Sequence, residues 1–239
     1  MTREGASASP PLPQLQSASP APLRPRDAAS IMLLDRSGGN VRVLMGRRHS
    51  GHAFMPDLYV FPGGRCDPTD YRLEFSGDLH PAVLQALKTT ERRRPLSVGR
   101  ARALALAAVR ELHEEAGVSI GTALSRPNAP LPFLPDLTNL RYMARAITPP
   151  GQPRRFDTRF FAVFADEAEI DPSEILESRE LQDLQWIDVK DCSSLRIPEI
   201  TAIILAEMRT GLEADPLLPH ERRVPFYFTR HRRFVRTLL

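Results

Sequence analysis

The sequence predicts an α/β protein in which helices cover both faces of a mixed β-sheet. Three observations predict this class: short apolar segments typical of strands, a few longer helical segments, and an order of elements that does not alternate regularly. The chain has 239 residues, of which 42% are hydrophobic, so it can form one large domain with its own core.

The strands are predicted at residues 29–34, 41–45, 58–61, 140–147, 156–164 and 181–187, and the helices at 78–90, 98–116 and 198–212. Residues 1–27 are rich in Ser, Ala, Pro and Gln without apolar periodicity and are predicted to be a disordered tail. The domain is therefore expected to span residues 28–239. Residues 37–40 suit a hairpin turn, residues 119–137 are interpreted as a proline-broken loop, and the segment after Val224 is too mixed to assign.

Charge and cysteine content exclude several classes of protein. The 32 basic and 29 acidic residues give a net charge of +3, and no aromatic-plus-basic module is visible in the linear sequence, so nucleic-acid binding is not expected. Two cysteines provide no disulfide framework and no metal knuckle. We therefore expect a cytoplasmic protein with reduced thiols and no membrane segment, because no apolar run approaches the roughly 18 residues that would span a bilayer.

The clearest helix, residues 98–116, is rich in alanine, has no proline and meets Gly117 where a left-handed residue commonly ends a helix. Positions three and four apart share a helix face, so Glu111 lines up with Glu114 and Glu115, and Arg110 can reach Glu114. Three carboxylates at the negative end of the helix dipole repel one another, and a divalent cation would neutralise them. The spacing alone leaves a second interpretation open, an ordinary acidic, solvent-facing helix end.

The run from Arg110 to Val118, RELHEEAGV, resembles the second half of the Nudix box. In that pattern a glycine, five residues, a glutamate and seven residues precede R-E-U-x-E-E-x-G-U, where U is aliphatic, and every defined position of the second half matches. The run Phe61-Pro62-Gly63-Gly64 resembles the strand and turn that open the box. The sequence is therefore similar to Nudix hydrolases, and the resemblance implies their α/β/α sandwich with a mixed sheet.

One departure from the pattern concerns its first glutamate. Between Gly64 and Arg110 lie 45 residues instead of thirteen, so an insertion of 32 residues interrupts the box at about 65–98. Counting forward from Gly64 places Asp70 at the position of the first glutamate, whereas counting backward from Arg110 places Arg102 there. Asp70 is the candidate substitute. The insertion is also a candidate lid over the substrate.

An interrupted box, Phe54-Met55-Pro56 ahead of it and residues 155–161 after it are similar to the Nudix branch that includes acyl-coenzyme A diphosphatases. The resemblance implies hydrolysis of a diphosphate linkage with Mg²⁺ or Mn²⁺. It also implies a set of metal ligands, namely the carboxylates of Glu111, Glu114 and Glu115 and the backbone carbonyl of Gly64.

The resemblance implies catalytic roles for Glu115, Glu114 and Arg110, with Arg110 orienting a glutamate. The general base remains open between Glu115, Glu114 and a loop acid, for which Glu177 and Glu180 are candidates.

The expected partner is a small phosphorylated substrate, and dimers are common in the family, so a homodimer is a further expectation. Candidate phosphate ligands flank predicted strand ends near the box, with ordinary surface charge as the alternative interpretation: Arg47, Arg48, Arg154 and Arg155. The alternative function, motivated by the missing first glutamate, is a catalytically inactive Nudix-fold module that binds nucleotides or regulates.

Overall fold

The computed structural model describes residues 23–49, 57–89, 95–178, 180–191 and 195–239. Residues 1–22 of the predicted tail lie outside this set, as do residues 54–56 of the branch motif and Cys192, one of the two cysteines. The strands are β1 (Arg26–Asp35), β2 (Arg42–Arg48), β3 (Tyr59–Val60), β4 (Gly63–Arg65), β5 (Gly121–Ala123), β6 (Phe133–Pro135), β7 (Arg141–Ile147), β8 (Phe156–Phe164), β9 (Leu181–Asp188), β10 (Pro225–Arg230) and β11 (Arg233–Leu238). The helices are α1 (Pro81–Lys88), α2 (Val98–Ala116), α3 (Glu199–Ala214) and a 3-10 turn at Asp70–Arg72.

Nine of these strands form one mixed sheet. Its main order is β11-β10-β7-β8-β1-β2-β3, while β4 pairs with β1 and β9 pairs with β2. The pairs β1·β8 and β7·β10 are parallel and the other pairs are antiparallel. The predicted mixed α/β/α architecture is thereby confirmed.

The packing of strand β1 explains why its residues are apolar without alternating with polar ones. Ile31 and Leu33 pack into the hydrophobic cluster that contains α1 and α2, whereas Met32 and Leu34 pack into the cluster that contains α3. Successive side chains of a strand point to opposite faces of the sheet. Because helices cover both faces here, both sets of side chains must be apolar.

Helix α2 has the predicted bounds, and both ends have a local cause. At the start, the Oγ of Ser97 accepts a hydrogen bond of 3.2 Å from the N–H of Arg100. At the end, Gly117 is left-handed with φ of 71° and donates its N–H to the carbonyl of His113. Leu104, Ala108 and Leu112 recur at helical spacing and are fully buried, which fixes the face that α2 presents to the sheet.

Several stretches differ from the sequence-based expectations. Gly63 and Gly64, expected in a turn, belong to the short strand β4, which pairs with β1. Residues 119–137 are not simply a loop, because β5 and β6 pair within them as a small antiparallel sheet. The segment after Val224 forms the hairpin β10–β11, and β10 extends the main sheet by pairing with β7. The pairing of β10 with β7 joins segments that lie far apart in the chain, and the local sequence does not report such a partner.

The insertion packs as part of the domain. Its helix α1 is shorter than the predicted 78–90, and Val83 and Leu87 are buried in the cluster that contains α2. Gly77 forms a parallel bridge with Asp136, which joins the insertion to the segment that follows β6. These described parts of the insertion therefore contribute to the core beside α2. No helix among the described residues is long and apolar enough to cross a membrane.

Candidate active site

The site begins where β4 passes the last turns of α2. Gly64 pairs with Ala29 of β1, which places its backbone directly under the carboxylate of Glu111. A Cβ atom added to Gly64 would lie 2.5 Å from the Cδ of Glu111, closer than real contacts allow. The neighbouring Gly63 donates its N–H to Oε2 of Glu115 at 2.9 Å. The two glycines therefore let a strand and two carboxylates approach one another closely.

The three glutamates differ in exposure along their shared helix end. Glu115 is only 7% exposed, Glu111 is nearly buried, and the side chain of Glu114 is 52% exposed. The helical spacing thus places two carboxylates inside the site and one at its rim.

Arg110 is the cation that holds this group together. Its Nη1 donates to Oε1 of Glu111 at 2.9 Å and to Oε2 of Glu114 at 2.8 Å. Its Nη2 donates to the backbone carbonyl of Arg65 at 3.0 Å. One guanidinium therefore fixes two glutamates relative to strand β4, which agrees with the orienting role that the resemblance implies.

Asp70 anchors the other side of the same guanidinium. Its fully buried carboxylate accepts hydrogen bonds from Nε of Arg110 at 2.8 Å and from Nη2 at 3.2 Å. It also accepts the N–H of Asp67 at 2.7 Å, which closes the turn before the 3-10 helix. Asp70 thus fills the place found by counting forward from Gly64, and it acts there as the counter-ion of Arg110.

Burial makes the ionised forms of Glu111 and Glu115 unfavourable. It raises the pKa of Glu115 to about 8 and that of Glu111 to about 6. The charge of Glu180 raises both values further, whereas the charge of Arg48 and the N–H of Gly63 favour the ionised form of Glu115. Both glutamates therefore hold a proton more tightly than an exposed carboxyl group does. Within the described part of the chain, however, no three His, Cys, Asp or Glu side chains are gathered as around a bound metal ion.

Arg47 and Arg48, adjacent on β2, have different surroundings. The positive charge of Arg48 acts to lower the pKa of Glu115, against the larger effect of burial. Arg47 lies 3.6 Å from a carboxylate oxygen of Asp57 and 3.6 Å from one of Asp183. Of this pair, Arg48 is the one whose charge acts on a buried glutamate of the candidate site.

Arg154 and Arg155 lie in the turn that precedes β8. Arg154 is exposed. The guanidinium of Arg155 donates to two backbone carbonyls, that of Thr148 at 3.0 Å and that of Leu23 at 2.6 Å. Arg155 therefore ties the start of β1 to the β7–β8 turn, a role that its position beside a strand end did not reveal.

The two candidate loop acids, Glu177 and Glu180, have different surroundings. Glu177 accepts the N–H of Leu184 at 3.3 Å, which is a local contact. Glu180 is exposed, its carbonyl accepts the N–H of His49, and its charge acts on both buried glutamates.

Cys66 is a half-buried free thiol. Burial raises the pKa of this thiol to about 12, so it stays protonated and is not a nucleophile.

Known proteins similar to this chain include Nudix hydrolases. No family model matches the chain. The chain is 31% identical over 193 residues to "Putative nudix hydrolase 7" of Caenorhabditis elegans. The aligned segment is 70% of this chain and 52% of that protein. The chain thus spans about half the length of the curated relative it matches.

The fold is that of a solved Nudix hydrolase. The crystal structure of a Nudix hydrolase from Alicyclobacillus acidocaldarius aligns with a TM-score of 0.58 at 24% identity, covering 81% of this chain and 93% of that one. This likeness shows a Nudix fold. Together with the name of the curated relative, it supports the Nudix hydrolase family for this chain.

Proposed function

We propose that this chain is a metal-dependent Nudix diphosphatase that hydrolyses a diphosphate linkage in a nucleoside diphosphate derivative. The observation that carries the proposal is the joint geometry of the box: Gly63 and Gly64 lie against Glu115 and Glu111, and Arg110 locks the group in place. An ordinary solvent-facing acidic helix end would not bury two carboxylates against a strand.

The donor set fits Mg²⁺ or Mn²⁺. All candidate ligands are oxygens, which hard divalent cations prefer. The ligands would be the carboxylates of Glu111, Glu114 and Glu115 and the carbonyl of Gly64. When bound, such an ion neutralises phosphate charge and acidifies water. A bound cation would favour the ionised forms of Glu111 and Glu115, which burial disfavours.

The protein's own residues would position the reaction. Arg110 holds Glu111 and Glu114 in fixed orientations, and Asp70 holds Arg110. Fixed placement of reacting groups lowers the barrier, because their orientation is established before the reaction. A carboxylate then accepts the proton of the attacking water, and Glu115, Glu114 and Glu180 are the candidates that the geometry leaves.

Among the four candidate phosphate ligands, we assign the contact to Arg48, since its charge already acts on Glu115. Coenzyme A or acyl-coenzyme A is the proposed substrate, on the similarity of the interrupted box and of residues 155–161 to that Nudix branch. A cytoplasmic location and a homodimer belong to the same proposal.

The test is a substrate panel with Mg²⁺ or Mn²⁺: coenzyme A, acyl-coenzyme A, NADH, ADP-ribose and dinucleoside polyphosphates. We expect monophosphate products, and we expect Glu114→Gln or Glu115→Gln to lower turnover by about a hundredfold or more, the usual contribution of a general base. Glu213→Gln is the matched control, because it makes the same change on the exposed side of α3.

The same substrate panel tests the alternative function, a catalytically inactive module that binds nucleotides or regulates. Binding of a nucleotide without turnover under all metal conditions would identify an inactive binding module. The buried Asp70–Arg110 pair weakens that alternative, because the apparent loss of the first acidic residue was its motive. Equal activity of Glu115→Gln and Glu213→Gln would refute the proposed catalytic site.

A further inference from the structure

The net positive charge of the protein comes from its last 18 residues, 222–239, and four of the arginines in this segment lie in the β10–β11 hairpin. Residues 222–239 contain six arginines and no acidic residue. Without them, 26 basic residues face 29 acidic ones, so the rest of the chain has a net charge of −3 although the whole has +3. Such asymmetry is typical of a region that meets a polyanion.

The hairpin concentrates this charge at its tip. Strands β10 and β11 pair so that Arg230 lies directly opposite Arg233, and the two residues between them are His231 and Arg232. All four are exposed. We call Arg230, Arg232 and Arg233 the tip arginines. Among the described residues the tip arginines make no ion pair, whereas Arg236, farther along β11, pairs with Glu207 at 2.8 Å.

The tip departs from the usual chemistry of a tight hairpin. His231 and Arg232 have positive φ values of 49° and 63°, in a two-residue turn where asparagine and glycine are preferred. Like charges directly opposite each other in a sheet are also destabilising. Residues that are unfavourable for the local backbone often mark a functional site, because selection for folding alone would favour other residues there.

Protection of a sheet edge does not account for the tip. Charged side chains along an edge strand discourage aggregation, and Arg233 and Arg236 on β11 suit that purpose. His231 and Arg232 lie in the turn, beyond the ladder that needs protection. A separate reason is needed for charge at that point.

An exposed aromatic ring accompanies the charge. Phe234 follows the tip arginines directly, is 54% exposed, and stacks on the buried Tyr227 with ring centroids 5.7 Å apart. Tyr227 therefore holds one face of Phe234 in place. A ring fixed this way beside cationic groups can stack an unpaired base.

We propose that the β10–β11 hairpin binds single-stranded nucleic acid, with phosphates on the tip arginines and a base on Phe234. This surface is separate from the candidate active site, since two strands, β7 and β8, lie between β10 and β1. The inference is therefore independent of the proposed hydrolase activity. The tip arginines and Phe234 are adjacent in the sequence, and the structure adds that they form the exposed end of a hairpin with Phe234 stacked on Tyr227.

A membrane surface fits this hairpin less well. Insertion into a bilayer would have to lead with the charged turn, because the apolar Phe234 and Leu238 lie behind it on β11. Placing charges at the leading end in hydrocarbon is costly. Phosphates of a flexible single strand can reach the tip arginines without that penalty.

The test is the fluorescence anisotropy of a labelled single-stranded oligouridine RNA with the full chain over a range of salt. Three phosphate contacts on single strands give a slope of about −2 for log K against log salt, so affinity should fall roughly twentyfold between about 50 and 200 mM. Replacing all three tip arginines by glutamine should remove this slope. The matched control removes three exposed arginines elsewhere, at Arg24, Arg126 and Arg209, and should keep it.

A second variant separates folding from binding. Arg232→Gly removes one charge and suits the positive φ, so it should raise the unfolding midpoint while reducing the salt slope by about 0.7. Absence of RNA binding at low salt, an equal loss in the control variant, or binding to anionic phosphatidylserine vesicles but not to RNA would overturn the proposal.

Discussion

The buried pair of Asp70 and Arg110 leads to the sharpest prediction. Asp70→Asn keeps the size of the side chain and removes its negative charge. In the folded protein that carboxylate is fully buried and accepts two hydrogen bonds from Arg110 and one from the N–H of Asp67. The amide can replace only part of these bonds, and its NH₂ group would face a guanidinium.

The expected cost follows from how deeply the pair is buried. Removing one partner of a buried ion pair costs about 3–5 kcal/mol. Arg110 keeps Glu111, Glu114 and the Arg65 carbonyl as partners, so the low end, about 3 kcal/mol, is expected. For a domain of this size that loss lowers Tm by about 6–12 °C. Turnover should also fall by about a hundredfold, because the glutamates that Arg110 orients lose their fixed geometry.

The assay compares thermal unfolding and steady-state hydrolysis of Asp70→Asn with those of Asp166→Asn. Asp166 also pairs with an arginine, Arg36, at 2.7 Å, but its side chain is 56% exposed. An exposed pair contributes less than about 1 kcal/mol, so the control should remain close to wild type. A Tm for Asp70→Asn within about 2 °C of the control, or undiminished turnover, would refute the anchoring role.

The other predictions use the same measurements. Gly64→Ala should abolish turnover and cost about 1–3 kcal/mol, because the new Cβ would overlap the carboxylate of Glu111, a proposed metal ligand. Gly99→Ala, with open space around it in α2, should instead stabilise by about 0.5–1 kcal/mol, and the opposite order of their Tm values would contradict both. Burial and then the charge of Arg141 lower the pKa of His220, so folding disfavours its protonation and stability falls as pH drops below about 6.5. The Tm advantage of wild type over His220→Gln should shrink from pH 7.5 to pH 5 in thermal scans. Arg48→Gln should raise KM more than it lowers kcat, whereas an unchanged KM would remove Arg48 from the substrate site.

The fold could be read from the sequence where the signal is local. Helix α2 was predicted with its observed bounds, because the cap at Ser97, the alanine-rich interior and Gly117 are all adjacent in the chain. Strand β8 was also predicted with its observed bounds. The prediction missed β4, β5, β6, β10 and β11. Strands β4, β5 and β6 have only three residues each, and β10 joins the main sheet by pairing with β7, which lies far away in the chain.

The candidate site was only partly readable in the same way. The spacing of Glu111, Glu114 and Glu115 places them on one helix end, and Asp70 could be found by counting from Gly64. The counting could not choose between Asp70 and Arg102. The structure shows Asp70 on Arg110, while Arg102 pairs with Asp78 at 3.0 Å.

The order of residues along the chain determined this protein's periodicities, its helix caps and the spacing of its acidic motif, because each depends on neighbours a few positions apart. Folding in three dimensions decided which charges meet across the 45 residues between Gly64 and Arg110, and which arginine faces the carboxylates. It also decided that the C-terminal hairpin joins the main sheet, through the pairing of β10 with β7. Such contacts depend on strand pairing and burial, which join distant segments, and no short window of sequence contains both partners.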